Sequence, residues 1–98
     1  MEDEEEGVKY EGGGRSAFFS IAETWHDSDG DFHRLAGPAV IFQDGELRWY
    51  RHGRLHRDDG PARVWPAEGI EDWYKDGDLY EPTAHEIMAW KMTQKKKD

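Results

Sequence analysis

There is no cysteine among the 98 residues, which excludes a disulfide framework, a thiolate nucleophile and a cysteine zinc site. No apolar run approaches the ~20 residues of a membrane-spanning helix. Positive charge is scarce: 13 Lys and Arg stand against 22 Asp and Glu, a formal net charge of −9. A surface of that sign repels nucleic acid and anionic lipid and attracts basic partners. The first residues, Met1-Glu2-Asp3-Glu4-Glu5-Glu6, lack the basic start and apolar segment of a secretory signal, so a cytoplasmic location is expected. What the chain does have is aromatic weight. Five Trp, four Tyr and four Phe are enough large side chains to build one compact core, and the length allows no second one.

The most informative feature is an internal repeat. His33-Arg34-Leu35-Ala36-Gly37-Pro38-Ala39 recurs as His56-Arg57-Asp58-Asp59-Gly60-Pro61-Ala62. Asp44-Gly45, Trp49-Tyr50, Gly53 and Leu55 follow the first copy. Gly69, Trp73-Tyr74, Gly77 and Leu79 follow the second, with one extra residue near Pro66-Ala67-Glu68-Gly69. Trp25, Gly30 and His33 form a worn upstream copy, with one residue inserted before the glycine.

Each repeat reads as a hairpin. Ala39-Val40-Ile41-Phe42 and Leu47-Arg48-Trp49-Tyr50 suit strands, the second with Leu47 and Trp49 on one face. Asp44-Gly45 between them predicts a type I′ turn, which needs positive φ at both central residues. Arg51-His52-Gly53-Arg54 is the next turn, and Gly60-Pro61 forces a bend. Ser16–Ala22 reads as an earlier strand. The expected fold is mainly β, an antiparallel meander of stacked hairpin repeats with one short C-terminal helix. Residues 1–14 read as an acidic, glycine-rich mobile arm, with Val8-Lys9-Tyr10 able to add an edge strand. Residues 15–80 form the repeat domain. Residues 81–98 form a capping helix and lysine-rich tail, opened by the capping box Thr83-x-x-Glu86, with Ile87, Trp90 and Met88 on its packing face. The repeated Trp and Tyr are expected to be the glue between hairpins.

The unit Trp-Tyr-x-x-Gly-x-Leu-His-Arg, continued by Gly-Pro-Ala and an Asp-Gly hairpin, resembles the MORN-like repeats over about residues 25–80, and more weakly over 15–24. The variant repeats of bacterial and phage antitoxin-like small proteins look most similar. Gly-Pro-Ala stands here where the usual unit opens with Gly-x-Gly. The resemblance implies a β-hairpin array that binds partners and implies no catalytic residues.

Reactive constellations are sparse. His52 and His56 are four apart and followed by Asp58 and Asp59, but Gly53 lies between them, so no metal site is expected. His33 and His56 hold equivalent places, which points to a shared structural task, a hydrogen bond from each imidazole to the Gly-Pro-Ala bend. Asp27-Ser28-Asp29-Gly30-Asp31 resembles a calcium loop, yet its glycine is fourth and Pro38 stands where the closing Glu belongs. Ser16, Ser20 and Ser28 sit in no nucleophile elbow, and Gly12-Gly13-Gly14 lacks the Lys-Ser/Thr of a phosphate loop. The expectation is therefore no enzyme, no cofactor and no metal.

Two binding readings follow. The first is a non-enzymatic module whose acidic surface meets a basic protein partner, without binding nucleic acid or membrane itself. Glu4, Glu5, Glu6, Trp49, Arg51, Arg54, Asp58, Asp59, Glu71 and Asp72 are its expected contact residues. The resemblance adds the kind of module: an inhibitor in a bacterial or phage conflict, of antitoxin, immunity or anti-CRISPR type, covering the nucleic-acid-binding surface of a nuclease complex. The second uses Arg48, Arg51, Arg54, Arg57 and Arg63, interleaved with Trp49, Tyr50 and Trp65, as a strip that stacks bases. Asp44, Glu46, Asp58 and Asp59 lie in the same stretch and offer those arginines carboxylate partners. A structural role through open strand edges pairing between copies is a further alternative.

Overall fold

The computed structural model describes residues 5–10 and 21–94. It is mainly β, with short antiparallel strands and one C-terminal helix. Strands β1 (Val8–Lys9), β2 (Ile21–His26), β3 (Val40–Phe42), β4 (Leu47–Arg48), β7 (Arg63–Trp65) and β8 (Ile70–Asp72) form one sheet in the order β1-β2-β3-β4-β7-β8. Two small hairpins stand apart from it, β5 (Tyr50–Arg51) with β6 (Arg54–Leu55), and β9 (Tyr74–Lys75) with β10 (Asp78–Leu79). Helix α1 spans Ala84–Gln94.

Each repeat thus contributes one hairpin to the main sheet and one to a side column, and a tryptophan is the joint between them. The expected single strand over residues 47–50 breaks at Trp49. Its N–H donates to Ala62 O in the main sheet, while its C=O accepts from His56 N in the side column. Trp25 does the same with Ala39 and His33, and Trp73 O accepts from Tyr80 N. At Trp49 and Trp73 the strand is interrupted at the joint, whereas β2 runs on through Trp25. Gly77 N to Leu55 O stitches the two side hairpins together, and Gly53 N to Phe32 O ties the first of them to the upstream copy. Recurrence at all these positions is the physical content of the sequence repeat.

The turns differ from expectation in an instructive way. Phe42 N donates to Glu46 O and Gly45 N donates to Phe42 O, with only Gly45 at positive φ (95°). That is a three-residue loop, a type I turn closed by a glycine bulge, not the type I′ turn expected at Asp44-Gly45. Asp44 instead uses its carboxylate to accept the Glu46 N–H at 3.1 Å, which pins the bulge. The two-residue turns with both residues at positive φ are His52-Gly53 (46° and 84°) and Asp76-Gly77 (51° and 87°). The extra residue near Pro66 is absorbed by a single 3-10 turn over Pro66–Glu68.

Residues 5–10 are not a loose arm. β1 pairs with β2, Tyr10 N donates to Thr24 O, and Leu35 N donates to Glu6 O. Of the expected strand over residues 16–22, positions 21 and 22 belong to β2, and the rest lies outside the described residues. At the other end, the capping box forms as expected: Thr83 N donates to Glu86 Oε1 and Glu86 N to Thr83 Oγ1. Trp90 is buried against Trp73 in an edge-to-face contact, with centroids 6.2 Å apart. Ile87 is half-buried, but Met88 lies on the outer side and is 58% exposed, so it is not part of the packing face. The core comprises Ala39, Val40, Ala62, Trp73 and Trp90, with His33 and Pro61 fully enclosed beside them.

Candidate functional site

Each tryptophan joint carries a lid. The Arg34 guanidinium lies 3.7 Å from the centre of the Trp25 ring and donates to Pro38 O. Arg57 lies 3.9 Å from the centre of the Trp49 ring and donates to Pro61 O. The hydrogen bond to the Gly-Pro-Ala bend therefore comes from arginine, not from the preceding histidine. The reason is reach: only the longer side chain crosses the indole face to the proline carbonyl. Burial pushes the Arg57 pKa down, and the Asp59 carboxylate at 2.9 Å works against that. The third joint has Glu81 where an arginine would stand, and Trp90 of α1 closes Trp73 instead. These lids make Trp25 and Trp49 poor stacking platforms.

The histidines at the repeat position lock the next side-column turn. His33 Nδ1 accepts the His52 N–H at 2.9 Å, and His56 Nδ1 accepts the Asp76 N–H at 2.9 Å. His33 has a second task, donating from Nε2 to Glu5 O at 2.6 Å. The His52 ring stacks on His33, with centroids 4.0 Å apart, and its Nδ1 lies 2.6 Å from Asp27 Oδ2. Asp27 Oδ1 accepts the N–H groups of Asp29 and Asp31, which closes the loop once weighed for calcium. The His52 hydrogen bond, with those two amides, outweighs burial and holds the Asp27 carboxyl below its usual range. Asp27, His33 and His52 bring ligand-type atoms within 4.8 Å of one another. Both His33 ring nitrogens are already engaged, and the two imidazoles stack instead of converging on one point. Their chemistry is that of a clamp, which also seats Glu5: its carboxylate accepts from Ser28 N and Ser28 Oγ.

The arginines of the candidate nucleic-acid strip, Arg54 excepted, are similarly consumed. Arg48 and Arg63 face each other across β4 and β7, a pairing of like charges that destabilises a sheet unless screened. Glu46 screens it, accepting from Arg63 Nε at 2.7 Å and Arg48 Nε at 2.8 Å through the same oxygen. Arg63 also reaches Asp72 at 3.4 Å. Burial pushes the Glu46 carboxyl up, but the hydrogen bonds from Arg63 and Arg48 win and leave its pKa lowered. A carboxyl with a depressed folded-state pKa contributes stability above its unfolded value and loses it as pH falls through the folded one. Glu46→Gln is accordingly expected to cost about 2 kcal/mol at neutral pH. Its urea midpoint should also fall less on acidification than that of the parent chain. A variant as acid-sensitive as the parent would count against this role.

The expected contact residues scatter. Glu4 lies outside the described residues. Glu5 and Glu6 are exposed but hold Ser28 and Ala36 N. Trp49 is half-buried beneath Arg57, Arg51 pairs with Asp58 at 3.4 Å, Asp59 binds Arg57, and Asp72 faces Arg63. Arg54 is exposed and makes no ion pair among the described residues. Glu71 is exposed on β8, and it belongs to a larger set the sequence did not single out. Asp29, Asp31, Glu68, Glu71, Asp78 and Glu81 are all exposed, and none meets a cation among the described residues. The imbalance of 22 acids over 13 bases was the available signal, because one-to-one pairing must leave a surplus of acids without a base.

No family model, no curated protein and no solved structure matches this chain. The MORN-like resemblance accordingly stays with its own residues. Among the described residues, no helix is long and apolar enough to cross a membrane.

Proposed function

We propose that this chain is a non-enzymatic, acidic protein-binding module that acts in the cytoplasm by covering a basic surface of its partner. One observation carries the reading. Apart from Arg54, the described arginines are spent internally, on indole faces and on carboxylates such as Glu46, Asp58 and Asp59, while Asp29, Asp31, Glu68, Glu71, Asp78 and Glu81 project without a cation among the described residues. The outward field is therefore negative, and such a field steers a basic partner and competes with nucleic acid for it. The MORN-like resemblance supports the narrower form, an inhibitor in a bacterial or phage conflict, of antitoxin, immunity or anti-CRISPR type, that occupies the nucleic-acid-binding face of its target.

The test is capture from a bacterial lysate with the parent chain and with a variant carrying lysine at Asp29, Asp31, Glu68, Glu71, Asp78 and Glu81. The parent should retain a Lys- and Arg-rich nucleic-acid-binding protein, release it to competing nucleic acid, and associate with it at least about tenfold faster than the variant at low salt. Equal capture by both would refute the reading. So would a low-salt gel shift of short single strands by the parent alone, which would return the function to the arginine strip.

A further inference from the structure

The side column grows by one docking step that the chain uses twice. Phe32-His33-Arg34 seats the turn of the next copy: Phe32 O accepts the Gly53 N–H, His33 Nδ1 accepts the His52 N–H, and the Arg34 N–H donates to Tyr50 O. Leu55-His56-Arg57 seats the following turn in the same way, through Gly77 N, Asp76 N and Tyr74 O. Leu79-Tyr80-Glu81 holds the third such position, and among the described residues no turn sits on it. Lys75 and Asp78 flank a two-residue turn and form its hydrogen-bonded pair. The next pair, Tyr74 with Leu79, is therefore not hydrogen-bonded, and the Leu79 C=O points out of the hairpin. Leu79 O and Glu81 N meet no partner among the described residues. Leu79 is 63% exposed, whereas its equivalent Leu55 is half-buried. Helix α1 closes the Trp73 joint but leaves this end open.

The open seat also differs from the first two in charge. Tyr80 replaces the histidine and Glu81 the arginine. Because Trp90 closes Trp73, the side chain at position 81 has no indole to cover, and Glu81 is exposed. Lys75, the cross-strand neighbour of Asp78, lies 3.9 Å from Glu86, and Asp78 projects without a cation among the described residues.

We propose that this open end, Leu79 O and Glu81 N flanked by the carboxylates of Asp78 and Glu81, binds a basic glycine turn of the partner protein. The proposal rests on the acidic-module reading above and gives that module a point of contact. The molecule itself supplies the template for the occupant. The Gly53 turn, flanked by Arg51 and Arg54, docks on Phe32 O with Asp31 alongside, a Cβ on Gly53 lying 3.4 Å from Asp31 Cβ. The same template excludes a second copy as occupant. Of the described glycines at positive φ, only Gly53 lacks an acidic residue before it, and Gly53 is already seated. The others follow Glu6, Asp29, Asp44, Glu68 and Asp76, which Asp78 and Glu81 would repel. Main-chain pairing supplies the fit, and the two carboxylates select the sign of the turn.

The test uses the isotope-labelled full chain and a synthetic probe, residues 50–55 closed into a hairpin by a terminal disulfide. Addition of the probe should shift the amide resonances of Asp78, Leu79, Tyr80 and Glu81 and leave those of β8 in place. Asp78→Lys with Glu81→Lys should weaken the probe at least about tenfold. Methylating the glycine nitrogen of the probe removes the N–H meant for Leu79 O at constant charge, and should abolish binding. The hairpin of residues 74–79, with its Asp-Gly-Asp turn, should not bind. No shift at millimolar probe overturns the proposal, as do shifts centred elsewhere, equal binding by the methylated or the acidic hairpin, and an affinity unchanged in the lysine pair. The lysate capture separates this seat from the reading it rests on. If the variant with lysine at all the uncompensated positions loses the partner while Asp78→Lys with Glu81→Lys keeps it, the acidic module stands and the seat falls. If the probe binds here but parent and variant capture alike, the seat stands and the acidic module falls.

Discussion

His33→Ala is expected to cost about 3–4 kcal/mol. The ring is fully enclosed, so its removal leaves a cavity as well as unmade hydrogen bonds. The His52 N–H loses its acceptor, and the positive-φ turn at His52-Gly53 loses the contact that holds it. Glu5 O loses its donor, which frees the N-terminal segment from the body. Two conservative variants divide the loss. His33→Asn keeps an oxygen near the Nδ1 position and should recover the turn, while His33→Gln reaches toward Glu5 and should recover the segment. Urea unfolding gives the sizes, and amide exchange gives the places. In His33→Ala and His33→Asn, protection should fall at Tyr10 and Leu35, whose N–H groups bond to Thr24 O and Glu6 O across that segment. His56→Ala is the matched control. It removes the equivalent acceptor of the Asp76 N–H from a less enclosed ring, and should cost about half as much. Unchanged protection at Tyr10 and Leu35 in His33→Ala would mean that the tie to Glu5 contributes nothing.

The contrast between these two histidines shows how far the residues alone can be read. Periodicity of Trp, Gly, Pro and His revealed the hairpin array, because each of those types serves a backbone need that recurs with each repeat. The equivalence of His33 and His56 was legible for the same reason. Their partner was not, since a pattern of positions does not say which of two neighbouring side chains reaches a carbonyl. Reach across the indole belongs to Arg34 and Arg57, and only the packed joint reveals it. The turn at Asp44-Gly45 was misread because Asp-Gly suits both a type I′ turn and a glycine bulge, and the choice is made by pairing register. The clamp of Asp27, His33 and His52 joins residues up to 25 apart through the worn copy, where the repeat is least regular. The arginines were weighed as a strip because linear order interleaves them with aromatics. In space each meets a carboxylate or a ring face, Arg54 excepted, and what remains outward is the acid surplus. Net charge, the coarsest quantity available, was the better guide to the surface.

Gly60→Ala is expected to destabilise the chain by about 2–3 kcal/mol, and Gly37→Ala, at the same repeat position, by under about 1 kcal/mol. A Cβ at Gly60 would stand 2.8 Å from Trp90 Cδ1, 3.0 Å from Trp90 Nε1 and 2.9 Å from Arg57 Cζ. Neither neighbour can yield freely. Trp90 is wedged against Trp73, and the Arg57 guanidinium is held by the Trp49 face, Pro61 O and Asp59. At Gly37 the nearest atoms are the end of Arg34, at 3.2 Å, so a shift of a few tenths of an ångström suffices, and Arg34, though it lies on Trp25 and bonds Pro38 O, has no carboxylate anchor among the described residues. The difference between the two variants therefore measures the cap: α1 closes over the second bend and leaves the first alone. Removing the cap residue should shrink that difference. In a Trp90→Ala background, itself weakened by loss of a buried indole, adding Gly60→Ala should cost less than in the parent but still more than Gly37→Ala, because Arg57 Cζ stays in the way, a coupling of about 1–2 kcal/mol in the double-mutant cycle. Additive costs would mean that Trp90 does not close over the second bend.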